Sequence, residues 1–182
     1  LLNIFDKIQD DSLSIHIIDG PAQTYKTLVD KLQNSTCIAD IEEVGSLLAG
    51  LIKAVPDNEE VIACSRTRTT ILLITDFKDF SIKASIEQKA DLERLIRKSE
   101  QFGIRIVIAG LATDLAACWD GPVKAIRDHC AGLVLTEPND QQLINIRLPY
   151  TITSKPLKQD EGYFSSVYGT CKIKLPTSVK PK

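Results

Sequence analysis

The sequence predicts an α/β domain: a mostly parallel sheet with helices on both faces, closed by a C-terminal β-hairpin. Three observations carry that reading. Short β-branched or apolar runs alternate with segments of helical periodicity. Ile71–Ile74 is apolar without a break, as a central strand buried on both faces requires. The clearest helical pattern, residues 87–102, ends at Gly103, a C-cap glycine, and the strand Ile104–Ala109 follows at once.

Taken in order, residues 1–9 place Leu1, Leu2, Ile4, Phe5 and Ile8 on one helical face. Ser14–Ile18 is a short strand stopped by Asp19-Gly20-Pro21. Residues 24–33 form a weak helix. Asp40, with Glu43 three residues on, resembles a capping box and opens a helix with Val44, Leu47, Leu48, Leu51 and Ile52 inward. Pro56 and Asp57-Asn58 end it. The strand Ile71–Ile74 stops at Thr75-Asp76-Phe77. In helix 87–102, Leu92, Leu95, Ile96 and Phe102 face inward. A helix at about 121–130 leads to the strand Leu133–Leu135, and a short helix covers about 139–146. After Pro149 the chain turns rich in Tyr, Thr and Ser, with Gly162 and Gly169 as turns. The expected organisation is one domain, 1–182, with 150–182 as its β appendage.

Composition narrows the function classes. With 182 residues, 43% hydrophobic and 25% charged, the chain has the balance of a soluble globular domain. A net charge of -2 and a pI of about 5.7 argue against direct binding of DNA, which favours basic surfaces. No apolar run approaches the roughly 20 residues of a membrane helix, and the opening residues contain no signal peptide. The cysteines Cys37, Cys64, Cys118, Cys130 and Cys171 are odd in number and without a CxxC pair, so they read as small core residues in a reducing compartment. No metal site is expected. The opening residues read as the interior of a helix and the chain has no methionine. Either it is a fragment or stretches of it are missing.

In an open parallel sheet, ligands bind beyond the carboxyl ends of the strands. Four such ends occur: Asp19-Gly20, Thr75-Asp76, Gly110-Leu111 and Thr136-Glu137. An apolar strand ending in a carboxylate fits a Walker B segment, where the acid holds Mg²⁺. On pattern alone it fits better an Asp that caps the next helix or turn, because hydrophobic strands ending in Asp are common. The phosphate loop GxxxxGK followed by Ser or Thr does not occur. Without its amides and lysine, these residues do not hold the β- and γ-phosphates of ATP in the usual way. His16 reads as a core or edge residue. His129, beside Cys130, sits at a helix C-terminus, where a cationic imidazole suits the dipole. Trp119 reads as core in preference to an exposed anchor, and Arg66 and Arg68 as a solvated loop.

The order of these segments resembles the FtsK/SpoIIIE translocation ATPases. Ile71–Phe80 (ILLITDFKDF) is similar to the family's Walker B strand, an apolar run followed by Asp-Glu-Phe and a further Asp. Leu92–Leu115 (LERLIRKSEQFGIRIVIAGLATDL) is similar to the helix and sensor strand that come next. Ile17-Ile18-Asp19, Cys37–Leu51, Gly132–Thr136 and Gly162–Lys174 fall into place as the second strand, its following helix, the last core strand and a closing β-segment. The resemblance implies a RecA-like P-loop NTPase core beginning just after the phosphate loop. Two of its motifs depart, at four positions. The Asp-Glu pair becomes Thr75-Asp76, with Asp76 as the candidate catalytic residue. The Thr-Gln sensor becomes Gly110-Leu111. Thr75, Asp76, Gly110 and Leu111 would together form a degenerate nucleotide site for ATP and Mg²⁺. A threonine hydroxyl is a poor substitute for a metal-binding carboxylate.

Among relatives, degenerate modules of this kind resemble the C-terminal ATPase domains of type VII secretion coupling proteins (the EssC, YukB and EccC group). That implies a cytoplasmic domain of a membrane-anchored protein. Its implied partners are neighbouring ATPase domains of the same chain and secreted helical substrate proteins, with a homo-hexamer in the full-length protein and DNA not expected. The implied role is docking and regulation with reduced catalysis. An active ATP-hydrolysing translocase of protein or DNA, with its phosphate loop upstream of Leu1, is the alternative. An unrelated parallel α/β domain is the generic one.

Overall fold

The computed structural model describes residues 13–53, 69–129, 131–135, 156–158, 160–166 and 168–175. Within them the chain divides into two compact units. One holds the described residues up to Gly110 together with Asp120–Pro122. The other holds Leu111–Trp119 and the described residues from Val123 onward. The helices read at 1–9 and 139–146, the stop at Pro56–Asn58, Arg66, Arg68, Cys64, Cys130 and the Thr136-Glu137 strand end lie outside the described residues. So do the side chains of Phe102 and His129.

The first unit is built on a four-stranded sheet in the order β2-β1-β3-β4, with β1 Leu13–Ile18, β2 Ser35–Ile38, β3 Thr69–Ile74 and β4 Ile104–Ile108. Every pair is parallel, so each connection must cross over, and helices supply the crossings. They are the single turn α1 (Lys26–Val29), α2 (Ile41–Lys53), α3 (Phe77–Lys83) and α4 (Ile86–Phe102). The β1–β3 register pairs Ile15 with Ile71 and Ile17 with Leu73, placing them on one face. That face packs with Val29 and Leu32. The opposite face carries Leu72 and Ile74, both fully buried. It is sealed by α2 and α4, whose stripes bury Val44, Leu48, Leu92, Leu95 and Ile96.

Local chemistry sets the helix ends. Asp40 accepts from the Glu42 amide (2.9 Å) at the start of α2. Ser85 and Gln88 form a full capping box at α4. The Gln88 amide also donates to the Ile41 carbonyl (2.7 Å), tying the start of α4 to that of α2. Gly103 ends α4 at φ 67, a left-handed conformation in which a Cβ is strained.

The second unit contains α5 (Ala112–Ala117), most of α6 (Gly121–His129) and a three-stranded antiparallel sheet in the order β5-β6-β7: β5 Gly132–Val134, β6 Glu161–Ser166 and β7 Gly169–Lys174. The sequence places 132–136 as the last strand of the parallel core. Instead it pairs antiparallel with β6. Gly162, read as a turn, lies inside β6. A Cβ there would meet Leu135 Cδ2 at 2.7 Å and the Val134 carbonyl at 3.1 Å, so glycine permits the close approach of β5. Gly169, at φ 132, does close the β6–β7 turn. Cys171 is exposed rather than core, whereas Cys37 is half-buried on β2.

Candidate functional site at the carboxyl rim of the parallel sheet

Three strand ends meet at one rim of the first unit. The ladder runs on past the strands: the Thr75 amide donates to the Ile18 carbonyl (3.0 Å), the Ala109 amide to the Ile74 carbonyl (2.8 Å), and the Phe77 amide to the Ala109 carbonyl (3.0 Å). The tails of β1, β3 and β4 are thereby held side by side, where an open parallel sheet binds ligands.

Asp19 is the buried carboxylate of this rim, only 8% exposed. Its Oδ1 accepts from the Gly20 amide (2.9 Å) and the Thr75 hydroxyl (2.7 Å), and its Oδ2 from the Tyr25 amide (3.0 Å). Three donors compensate the burial of the charge. Thr75 therefore donates a hydrogen bond from its hydroxyl to Asp19. Asp76 is exposed and is the N-cap of α3, where its Oδ1 accepts from the Asp79 amide at 3.2 Å. Asp79 in turn pairs with Lys83 (2.8 Å). Asp19, Gly20, Val44, Asp76, Phe80 and Lys83 contribute to the lining of a shallow depression on this rim.

Gly110 follows β4 in the first unit, and Leu111 opens the second. Leu111 is 71% exposed and is the backbone N-cap of α5, with no side-chain cap. Its apolar side chain offers no hydrogen bond to a phosphate. His16, read as core or edge, is half-buried on β1 and bonded through Nδ1 to the Thr36 hydroxyl (2.8 Å) on β2. Trp119 departs from its reading as core: it is 84% exposed, with the Arg127 guanidinium 5.3 Å from its ring centroid. Asp19 was named from the sequence as a strand end where a ligand could bind, but not as a member of the nucleotide site with Thr75, Asp76, Gly110 and Leu111. Its signal was a β-branched run ending in Asp beside a second strand ending in Thr-Asp.

For Mg²⁺-ATP the fit is poor. Thr75 is engaged by Asp19, and Asp76 caps a helix. Among the described residues no three His, Cys, Asp or Glu side chains form a metal-holding group.

The parallel order, the crossover helices and the rim define the class: this is the fold of a RecA-like P-loop ATPase domain. Solved structures make that specific. One of EssC (ATPases 2 and 3) from Geobacillus thermodenitrificans matches with TM-score 0.73 and 16% identity, over 90% of this chain and 31% of that one. Thermomonospora curvata EccC (ATPases 2 and 3), in complex with a signal sequence peptide, matches with TM-score 0.68 and 17% identity, over 93% of this chain and 32% of that one. The cytoplasmic domain of EssC matches with TM-score 0.69 and 18% identity, over 90% and 33%. The chain thus spans about a third of each of these three solved chains. No family model and no curated protein sequence matches it.

Proposed function

We propose that this chain is a degenerate motor domain of a type VII protein secretion ATPase, acting in substrate and inter-domain docking and in regulation more than in ATP turnover. The hydrogen bond from Thr75 to Asp19 carries the reading. A hydroxyl committed to a buried carboxylate stands where an active motor presents its metal-binding acid, so a fold built for hydrolysis is kept while its chemistry is relaxed. Both compact units belong to one ATPase domain in this reading, with neighbouring ATPase domains in the same longer chain and a hexamer in the full-length protein. The parent protein would be anchored elsewhere in its length, since no helix among the described residues is long and apolar enough to cross a membrane. Exported helical proteins are the substrate class, by likeness to a protein solved with a signal sequence peptide.

Calorimetry with Mg²⁺-ATP and with a secreted helical protein tests the proposal. Binding of the protein with little nucleotide turnover is expected, and fast hydrolysis that depends on Asp76 would sink it. One observation favours the alternative of a working ATPase completed by an upstream phosphate loop: Asp76 remains exposed on the rim.

A further inference from the structure

The second unit carries two exposed large apolar side chains at the two ends of one short helix. Helix α5 is Ala-Thr-Asp-Leu-Ala-Ala and has no buried residue. Leu111 precedes it at 71% exposure and Trp119 follows it at 84%. Burying one face is what normally holds a helix of this size, and this one reaches only half-burial, at Ala112, Asp114 and Leu115. The tryptophan is also fixed in place. Arg127 Nη2 donates to the carbonyls of Leu115 (2.7 Å), Ala116 (3.3 Å) and Cys118 (3.3 Å), capping the C-terminal end of α5, and its guanidinium stacks on the indole. An aromatic ring that is exposed yet held by an immobilised cation loses little freedom when a partner covers it.

We infer that the surface formed by Leu111, α5 and Trp119 is a docking face for the neighbouring ATPase domain of the same chain. This rests on the functional reading above. The size of the patch selects the occupant. Trp119 and Leu111 offer on the order of 300 Å², against roughly 800 Å² per side for an interface between free proteins. So small a face does not hold a second copy or a freely diffusing substrate. A tethered domain arrives at an effective concentration in the millimolar range, which makes a modest interface sufficient. The matched structures supply the tether, since this chain fills only 31% and 32% of chains that carry two ATPase domains by description. Ala112, Ala116 and Ala117 bring no charge and little bulk, so a backbone can approach closely.

Hydroxyl-radical footprinting of the full-length protein, read by mass spectrometry, tests this. Trp119 should oxidise about tenfold more slowly in the native chain than in the same chain unfolded in urea, and the protection should not change on dilution. Trp119→Ala should expand the native chain in solution scattering, and Trp119→Phe should restore its compactness. Oxidation at the unfolded rate overturns the inference. So does protection lost on dilution, which assigns the face to a second copy, and protection seen only with added exported protein, which assigns it to substrate. A full-length sequence without another ATPase domain overturns the functional reading itself, and the occupant with it.

Discussion

The Thr75 hydroxyl lies 2.7 Å from Asp19 Oδ1, joining the carboxyl ends of two adjacent parallel strands, β3 and β1. The bond fixes the rim, because Asp19 also gathers the amides of Gly20 and Tyr25 into the turn after β1. Thr75→Val keeps the shape and removes one donor from a buried carboxylate. Unfolding in urea should then be easier by about 1–3 kcal/mol. Thr75→Ser should cost less. A valine variant as stable as the parent would show that the bond does not hold the rim.

Asp76 separates two roles by chemistry. As an N-cap it needs a short side-chain acceptor, and Asn serves as well as Asp; as a catalytic carboxylate it needs a charge. Asp76→Asn should leave stability within a few tenths of a kcal/mol, whereas Asp76→Ala should lose about 1 kcal/mol. Under the degenerate reading, neither changes a low ATP turnover. Loss of a substantial turnover in the Asn variant, with stability intact, would assign Asp76 a catalytic role.

How far the sequence spoke depended on the kind of signal. Continuous apolar strands and a capped amphipathic helix are local, so β1, β3, β4, α2, α4 and the stop at Gly103 were legible. The strand Ser35–Ile38 was not, because Ser35-Thr36 look like a loop until pairing with β1 gives them partners. Helix α3 hid behind the strand stop at Thr75-Asp76, where the same Asp that ends β3 caps the next element. β5 has apolar residues that fit either a parallel or an antiparallel neighbour, and only β6, some thirty residues on, decides. The rim position of Thr75 and Asp76 was legible from the strand. The bond to Asp19 was not, since 56 residues separate its two ends.

Cys37 offers a test that does not use nucleotide. Burial on β2 pushes its thiol above the ordinary value, and the charge of Asp19 pushes it further, while Lys26 opposes. The thiolate is the reacting form, so alkylation should keep accelerating with pH beyond the point where an unperturbed thiol levels off. Asp19→Asn should shift that profile partway down, because burial is the larger cause. Exposed Cys171 should be modified first at neutral pH. A Cys37 profile identical to that of a free thiol would contradict this placement.

Glu161 ties the β6–β7 hairpin to acid pH. Glu161 is bonded to Lys172 Nζ on the paired strand (2.7 Å) and accepts from the Lys158 amide (2.9 Å). The Lys172 bond is the main cause holding its carboxyl below the usual range, and the Lys158 amide adds to it. A carboxylate with a depressed folded value stabilises the folded state above its unfolded value, and that stabilisation is lost as pH falls through the folded one. The hairpin should therefore loosen below the ordinary carboxylate range and be insensitive to pH above it. Hydrogen exchange of the β6 and β7 amides, followed from neutral to acidic pH, reads this directly. Glu161→Gln should flatten that dependence and leave the neutral-pH exchange only slightly faster, as expected for a surface ion pair. A Gln variant with the same acid transition as the parent would place the responsible group elsewhere.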